Sequence, residues 1–424
     1  MLLYIFLELM GNIMKWLVQS IEDNIKIDMR DVVSNLGERY PLFHEFKNTP
    51  QDPEWHAEGD VYIHTDMVIS ETYKLFEENE FTNEEKLILL LAAIFHDICK
   101  PMVTKERELQ GVNRVIAPKH EEMGISYLYY RFMEEDLDEY VKVHVLDLVG
   151  YHQKPKLLVI KNKSEWHYKY LTRHTAGYLF YYHQIADMKG RECSDKELQL
   201  SYLEEFKMFC DEYNCFKTTS CIIGELSMLL RANFKFNGED DLKYVIYKCI
   251  YDLINDEYDE PIVAYQKYYE QKDDYSNAII LCGLSGSGKS TYTKELLKTM
   301  DCTIISLDEI RKGFKINNTN RKAVDGQVLQ IATKQFKECM AKNQNVVWDA
   351  CNIRKDFRSK LISLAHQYNA LTTVVLVSTS INDCVENDKG RTDGHLGKEI
   401  ILDQLDKFQF PEFHESNLHT VYAR

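Results

Sequence analysis

Two groups of residues in this 424-residue chain have the types and spacings that phosphate chemistry needs. The first is the adjacent pair His96-Asp97, with His64, His120, His152 and Asp187 spread on either side. A neighbouring imidazole and carboxylate offer one nitrogen and one oxygen to the same divalent ion, a mixed set suited to borderline transition metals. An ion held there activates water near neutral pH and screens the non-bridging oxygens of a phosphoester, which is hydrolytic chemistry. The second group is Gly283-Leu284-Ser285-Gly286-Ser287-Gly288-Lys289-Ser290-Thr291, which fits the GxxxxGKS pattern of a P-loop. Its glycines let backbone N–H groups close around the β- and γ-phosphates of a nucleoside triphosphate, Lys289 adds a point charge, and Ser290 offers a hydroxyl to Mg2+. One group suits hydrolysis of a phosphoester and the other transfer of a phosphoryl group, so the economical substrate has two ends.

The elements around the P-loop place three further candidates. Short β-rich runs at 278–282, 303–307, 345–348 and 372–377 alternate with helical stretches, which predicts a parallel sheet with helices on both faces over residues 276–424. The second run ends in Ser306-Leu307-Asp308-Glu309-Ile310-Arg311. On a strand adjacent to that of the P-loop, Asp308 can take a proton from an attacking hydroxyl, and Arg311, one turn on, can hold a phosphate beside it. A helix-capping Asp with a surface Arg is the plainer reading. Asp349 directly follows the third run and can serve Mg2+, orient the acceptor or simply cap a helix. Beyond the fourth, residues 381–391 stand where a basic lid would close over the nucleotide, and the planar fork of Arg391 suits the charge of a transferring phosphoryl group.

The other elements read as helical. Residues 40–194 form a domain with a helix from Glu84 to Phe95, N-capped by Thr82, and helical patterns at 121–134 and 137–149. Residues 195–275 read as a helical connector or an extension of that domain, and 1–39 as an N-terminal helical segment. The apolar start Met1–Met10 is shorter than a membrane span and contains Glu8, so it is expected either to pack as a helix on the body or to be an over-long start with Met10 or Met14 as the true one, with no membrane partner. Eleven cysteines without a CxxC pair fit a reducing cytoplasm. A net charge of −16 excludes a general nucleic-acid coat. The excess is unevenly spread: residues 276–424 carry 20 Lys and Arg against 17 Asp and Glu, the preceding residues 31 against 50. Arg311, Lys312, Lys315, Arg321, Lys322, Arg354, Lys355 and Arg358 therefore favour a polyanionic acceptor beside the P-loop.

Over 276–424, the GLSGSGKST loop, the DxxR motif Asp308 to Arg311, the DACN segment 349–352 and the basic segment ending at Arg391 together resemble the 5′-hydroxyl polynucleotide kinase family. The resemblance implies that Lys289 and Ser290 bind ATP or another NTP with Mg2+. It makes Asp308 the general base for the 5′-OH, puts Arg311 on the acceptor phosphate and Arg391 on the donor. Asn387, Asp388 and Gly390 thin the arginine-rich lid of that family. Over 40–195, the order His64, His96-Asp97, His120, His152, Asp187 is similar to the HD phosphohydrolase superfamily. The segments PQDPEWHAEGDVYIHT, FHDICKP and IADMKGR are similar to the HD phosphoesterase domain of bacterial tRNA nucleotidyltransferases. That resemblance implies one divalent metal (Mn, Ni, Co, Fe or Zn) on His64, His96, Asp97 and Asp187, a second on His120 and His152, and Lys100 on the scissile phosphate. His144 and His183 stay as competing ligands, and His56 is either a substrate-side or a structural residue.

Joined in this order, the two parts resemble the bacterial HD-domain polynucleotide kinases proposed for nucleic-acid end healing. The expected architecture is multidomain: an all-α HD phosphohydrolase domain and an α/β P-loop kinase domain with a parallel sheet. The expected enzyme phosphorylates 5′-OH ends of RNA or DNA and hydrolyses 2′,3′-cyclic and 2′-phosphate ends, with a separate ligase downstream. The alternative keeps both sites and changes the substrate: a nucleoside or small-molecule kinase fused to an HD nucleotide phosphohydrolase. A non-catalytic NTP sensor would have to explain Asp308 and the full metal set.

Overall fold

The computed structural model describes residues 14–314, 321–391 and 395–423. The expected helix at Met1–Met10 and Lys315 of the basic set lie outside them, as do the side chains of Arg321 and Lys322. The chain divides into two compact units, Met1–Ile222 and Ile223–Arg424. The division falls within the stretch 195–275. The helix Lys196–Glu212 packs in the first unit on the helix Gly177–Lys189, while Glu239–Ile254 and Pro261–Tyr269 pair in the second.

The first unit is built around the helix Asn83–Phe95. Thr82 and Glu85 form a reciprocal capping box at its start, with Thr82 Oγ1 accepting from Glu85 N–H and the Glu85 carboxylate from Thr82 N–H. Leu87 to Phe95 are all buried, so this helix is apolar all round and sits at the centre. Around it pack the helices Val61–Glu78, Glu139–Tyr151 and Gly177–Lys189. Each fully buried Leu or Ile contributes roughly 1.5–3 kcal/mol. To this helical domain the structure adds one antiparallel hairpin, β1 (Lys105–Leu109) with β2 (Val112–Ile116). Gln110 and Gly111 turn it, both at positive φ (52° and 82°), the conformation that a two-residue hairpin loop demands. Buried Asp52 ties it down by accepting from Val115 N–H at 3.1 Å and from Arg114 at 3.2 Å.

In the second unit five strands form one sheet: β3 (Asn277–Cys282), β4 (Thr303–Ser306), β5 (Val346–Asp349), β6 (Leu371–Ser378) and β7 (Leu418–Ala423). Their order is β4-β5-β3-β6-β7, and every pairing is parallel. β3 and β6 hold the buried centre, with Ile279, Leu281, Val347, Val375 and Val377 forming one apolar cluster. Two features depart from the sequence expectation. β7 is an additional edge strand. The strand that leads to Asp308 is not adjacent to the strand of the P-loop, because β5 lies between them and pairs with both. Among the described residues no helix is long and apolar enough to cross a membrane.

Candidate functional site

The histidines and aspartates of the first unit come from five segments and meet in its interior. His64 lies in the first turn of Val61–Glu78, whose N-cap Asp60 accepts from Ile63 N–H. His96 and Asp97 follow the central helix where it ends, His120 opens the helix His120–Phe132, His152 caps Glu139–Tyr151, and Asp187 is near the end of Gly177–Lys189. His64, His96, Asp97, His120, His152 and Asp187 are all buried.

Four backbone carbonyls fix the four imidazoles. Nδ1 lies 3.2 Å from Gly190 O in His64, 2.9 Å from Ala93 O in His96, 2.9 Å from Ala117 O in His120 and 2.9 Å from Val149 O in His152. A carbonyl only accepts, so each Nδ1 carries the proton and, in the neutral ring, each Nε2 presents its lone pair inward. His96 Nε2 then faces His64 Nε2 at 3.3 Å, and His120 Nε2 faces His152 Nε2 at 3.2 Å. Facing lone pairs repel unless a cation lies between them. The carboxylates complete the set: Asp187 Oδ1 is 3.2 Å from His64 Nε2, while Asp97 sends Oδ2 to within 3.2 Å of His96 Nε2 and Oδ1 to within 3.2 Å of His120 Nε2. Two three-donor groups result, His64 with His96 and Asp187, and Asp97 with His120 and His152. Their nitrogen and oxygen donors fit divalent transition metals, and Asp97 adjoins both groups.

The electrostatics agree. Burial disfavours charge on Asp97 and Asp187, yet His96 and Lys100 beside the first, and Arg191 and His64 beside the second, hold both carboxyls well below their usual range. Burial likewise opposes charge on His64 and His120, but Asp187 and Asp97 raise both imidazoles. The nest thus attracts positive charge, which bound metal supplies in place of protons. His152 is depressed to about 3 by burial and by His120.

Other expectations divide. Lys100 enters the site, with Nζ 2.7 Å from Asp97 Oδ2 and 2.6 Å from Gln51 Oε1. His144 does not: its Nδ1 donates to Tyr140 O at 2.7 Å, and it belongs to neither donor group. His183 is buried beside the nest, its ring centroid 5.7 Å from that of His96, and among the described residues neither of its nitrogens has a hydrogen-bond partner. His56 lies against Glu58, 2.7 Å from its Nδ1. Sequence reasoning did not single out Glu58, Gln51 or Arg191. Glu58 was visible only as part of HAEGD, and Arg191, which holds Asp187 at 2.9 Å, as the last residue of IADMKGR.

In the second unit the P-loop joins β3 to the helix Lys289–Leu296 at the carboxyl ends of the strands, where parallel sheets bind ligands. Gly283, Gly286 and Gly288 all have positive φ. A Cβ on Gly286 would stand 2.1 Å from Cys384 O, so the loop can pass this neighbour only as glycine. Lys289 Nζ donates to Gly283 O at 3.0 Å and Leu284 O at 2.8 Å. Two side chains hold the loop from later segments: Gln404 accepts from Ser285 N–H at 2.8 Å, and Asn387 donates to Gly286 O at 2.9 Å. Ser287 is fully buried, and its hydroxyl has no partner among the described residues. Ser290 and Thr291 follow in the first turn of the helix.

Asp308 and Asp349 occupy the ends of neighbouring strands, since Ser306 pairs in register with Asp349. Burial, opposed by Lys289 and reinforced by Asp308, raises the pKa of Asp349. Asp308 is exposed and ion-paired with Arg311, which also reaches Asp325 at 3.1 Å. Arg391 is exposed, 3.9 Å from Asp388. Asp388 is buried and accepts from Leu396 N–H and Gly397 N–H at 3.0 and 2.9 Å, so it ties the two described ends of the lid segment together.

Among the described residues the basic set is ion-paired. Arg358 is fully buried, with both arms of its guanidinium on Glu415 at 2.8 Å and a third bond to Asn352 O at 3.0 Å. It is a strut behind the DACN segment, not a surface cation. Lys312 pairs with Glu309, Arg354 with Asp356 and Lys355 with Glu412.

Fold and sites together describe a helical metal-binding phosphohydrolase domain followed by a P-loop kinase-like domain. The HD domain family matches residues 61–192, and the AAA domain family AAA_33 matches residues 279–411. The chain therefore carries an N-terminal HD domain and a C-terminal AAA-type P-loop domain. Among relatives, a candidate bifunctional polynucleotide kinase/RNA ligase of Autographa californica nuclear polyhedrosis virus is 30% identical over 147 residues, covering 31% of this chain and 20% of the viral protein. The chain thus matches about one fifth of the length of that curated relative. A candidate kinase from Chloroflexus aurantiacus J-10-fl is 13% identical with a TM-score of 0.30, over 35% of this chain and 86% of its own. A gluconokinase from Sinorhizobium meliloti 1021 is 17% identical with a TM-score of 0.26, over 35% of this chain and 83% of its own.

Proposed function

We propose that the chain is a bifunctional enzyme that heals broken nucleic-acid ends in the cytoplasm. It phosphorylates 5′-OH ends of RNA or DNA from ATP or another NTP, and removes 2′,3′-cyclic or 2′-phosphates, leaving ends for a separate ligase. The observation that carries this reading is the presence on one chain of a buried two-group metal nest and a P-loop, chemistries that act on opposite ends of a strand. The viral relative's name supports a polynucleotide as the acceptor.

In the kinase unit the P-loop amides and Lys289 bind the donor, and Ser290 would hold the Mg2+ that screens its phosphates. An incoming 5′-OH ribose brings its neighbouring phosphate to Arg311, and the movement of Arg311 to that phosphate frees the Asp308 carboxylate. Asp308 then takes the hydroxyl proton as the oxygen bonds to the γ-phosphorus and the bond to the β,γ-bridging oxygen breaks. Asp349 orients the acceptor or the ion from the neighbouring strand, and Arg391 offsets charge on the donor. In the HD unit His64, His96 and Asp187 would hold one divalent ion and His120 and His152 a second, with Asp97 adjoining both, and these ions would supply activated water and charge screening. Lys100 binds a non-bridging phosphate oxygen, and His56 stands on the substrate side.

The ion pairing of the described members of the basic set favours a second reading, a nucleoside or small-molecule kinase fused to an HD nucleotide phosphohydrolase. Competition between a 5′-OH oligonucleotide and a free nucleoside for labelled γ-phosphate separates the two. Preferential labelling of the oligonucleotide is expected, and preference for the nucleoside would replace the first reading with the second.

A further inference from the structure

Glu58 lies outside the two donor groups His64–His96–Asp187 and Asp97–His120–His152, yet its side chain is only 1% exposed and one of its oxygens faces the phosphoesterase site. Its Oε1 lies 2.7 Å from His56 Nδ1 and 3.0 Å from His64 Nδ1. Its Oε2 accepts from Glu192 N–H at 2.8 Å. The same turn is closed from the other side, since Ala57 N–H donates to Glu192 O at 2.8 Å. One carboxylate therefore joins three things: the orientation of His64, the orientation of His56, and the turn that follows Asp187. Gly190, whose carbonyl shares the Nδ1 proton of His64, belongs to that turn.

The geometry carries a consequence for each imidazole. A carboxylate oxygen can only accept, so both Nδ1 atoms must be protonated and both Nε2 atoms present lone pairs. For His64 that lone pair points at Asp187 and His96, inside a metal-donor group. His56 stands edge-on to His64, with ring centroids 4.8 Å apart, and its side chain is 11% exposed. Its Nε2 is left to accept from a donor such as a sugar hydroxyl next to the phosphate. The donor atoms of His56, Glu58 and His64 also lie close enough together for an ion of their own. A proton on each Nδ1 satisfies the same distances with no third ion.

We propose that Glu58 is a positioning residue of the phosphoesterase site, which fixes the Nδ1–H tautomers of His56 and His64 so that His64 is a stronger metal ligand and His56 an acceptor for a substrate hydroxyl. The proposal rests on the reading of the nest as a metal site. Removing an outer partner of a ligating histidine lowers metal affinity about 10–100-fold.

The test is titration of the metal-stripped full chain with Mn2+, followed by calorimetry, for wild type, Glu58→Ala, Glu58→Gln and His96→Ala. Glu58→Ala is expected to bind Mn2+ about 10–100-fold more weakly. Glu58→Gln, which keeps the shape and one carbonyl acceptor, is expected to fall between it and wild type with an unchanged melting temperature. That intermediate loss without a change in melting separates positioning from a structural role. Wild-type Mn2+ affinity in Glu58→Ala, with loss in His96→Ala, would overturn the role of Glu58 and leave the metal site standing. Unaltered binding in His96→Ala would overturn the metal-site reading, and the proposal with it. A third equivalent of Mn2+ that disappears in Glu58→Ala would make Glu58 a metal ligand and also overturn the proposal.

Discussion

The two sites deal with phosphate in opposite ways. In the HD unit every metal-donor side chain is buried, and Asp97 adjoins both donor groups, so the site is one indivisible cluster. In the kinase unit the loop is held by Gln404 and Asn387, but its partners are spread along a sheet edge, and Asp308 is exposed and held by Arg311. A hydrolytic centre that must hold ions needs convergent, desolvated donors. A transfer site that admits a nucleotide and an acceptor needs open side chains that change partners. The HD site is therefore expected to fail as a whole under one substitution, and the kinase site by degrees.

Asp97→Ala is the most severe test of that contrast. It is expected to lower both Mn2+ equivalents and to cut phosphoester hydrolysis by roughly ten-thousandfold, the several kcal/mol that metal activation supplies. Labelled γ-phosphate transfer should be unchanged, and retention of one tight ion would show the groups to be independent. Lys289→Ala is expected to reduce γ-phosphate transfer by about a thousandfold, while hydrolysis and Mn2+ binding persist. Glu415→Ala leaves the Arg358 guanidinium buried without its carboxylate. It should destabilise the kinase unit by about 4 kcal/mol in chemical denaturation, with smaller effect on the HD unit.

The smallest effect is that of pH on the kinase unit. Burial and nearby Lys248 depress His366 to about 4 from its ordinary 6.5. The unfolded chain binds that proton first, so the contribution is present above pH 6.5, declines as pH falls, and is gone below about 4. Its size is about 3 kcal/mol at 1.4 kcal/mol per pH unit. Denaturation midpoints at pH 7 and pH 4.5 should differ less in His366→Gln than in wild type. An identical difference in the two proteins would remove His366 from the account.

Those contrasts also mark what could be read along the chain. The helix Asn83–Phe95 was legible because Thr82, Glu85 and an unbroken apolar run are local signals. The P-loop was legible for the same reason, since its glycines are required by its own backbone. The meeting of His64, His96, Asp97, His120, His152 and Asp187 was expected from residue type and order, but the inward Nε2 lone pairs follow from carbonyls that only the fold supplies. The insertion of β5 between β3 and β4 is a matter of topology and leaves no local trace. β7 escaped notice because Leu418–Ala423 is an edge strand, partly exposed and interrupted by His419 and Thr420. Arg358 looked like a surface cation because its partner Glu415 is 57 residues away. The hairpin at 105–116 did carry a signal, the Gln110-Gly111 turn, within a charged run that resembles a solvated loop.

The central claim is that two independent phosphate sites act on the two ends of one strand. Its most direct test is a short RNA with a 5′-OH and a 2′,3′-cyclic phosphate, incubated with ATP, Mg2+ and Mn2+ and resolved by mass spectrometry. The account predicts a gained 5′-phosphate that Lys289→Ala alone removes, and a lost terminal phosphate that Asp97→Ala alone preserves. An RNA unchanged at both ends, while the same enzyme phosphorylates a free nucleoside, would contradict it.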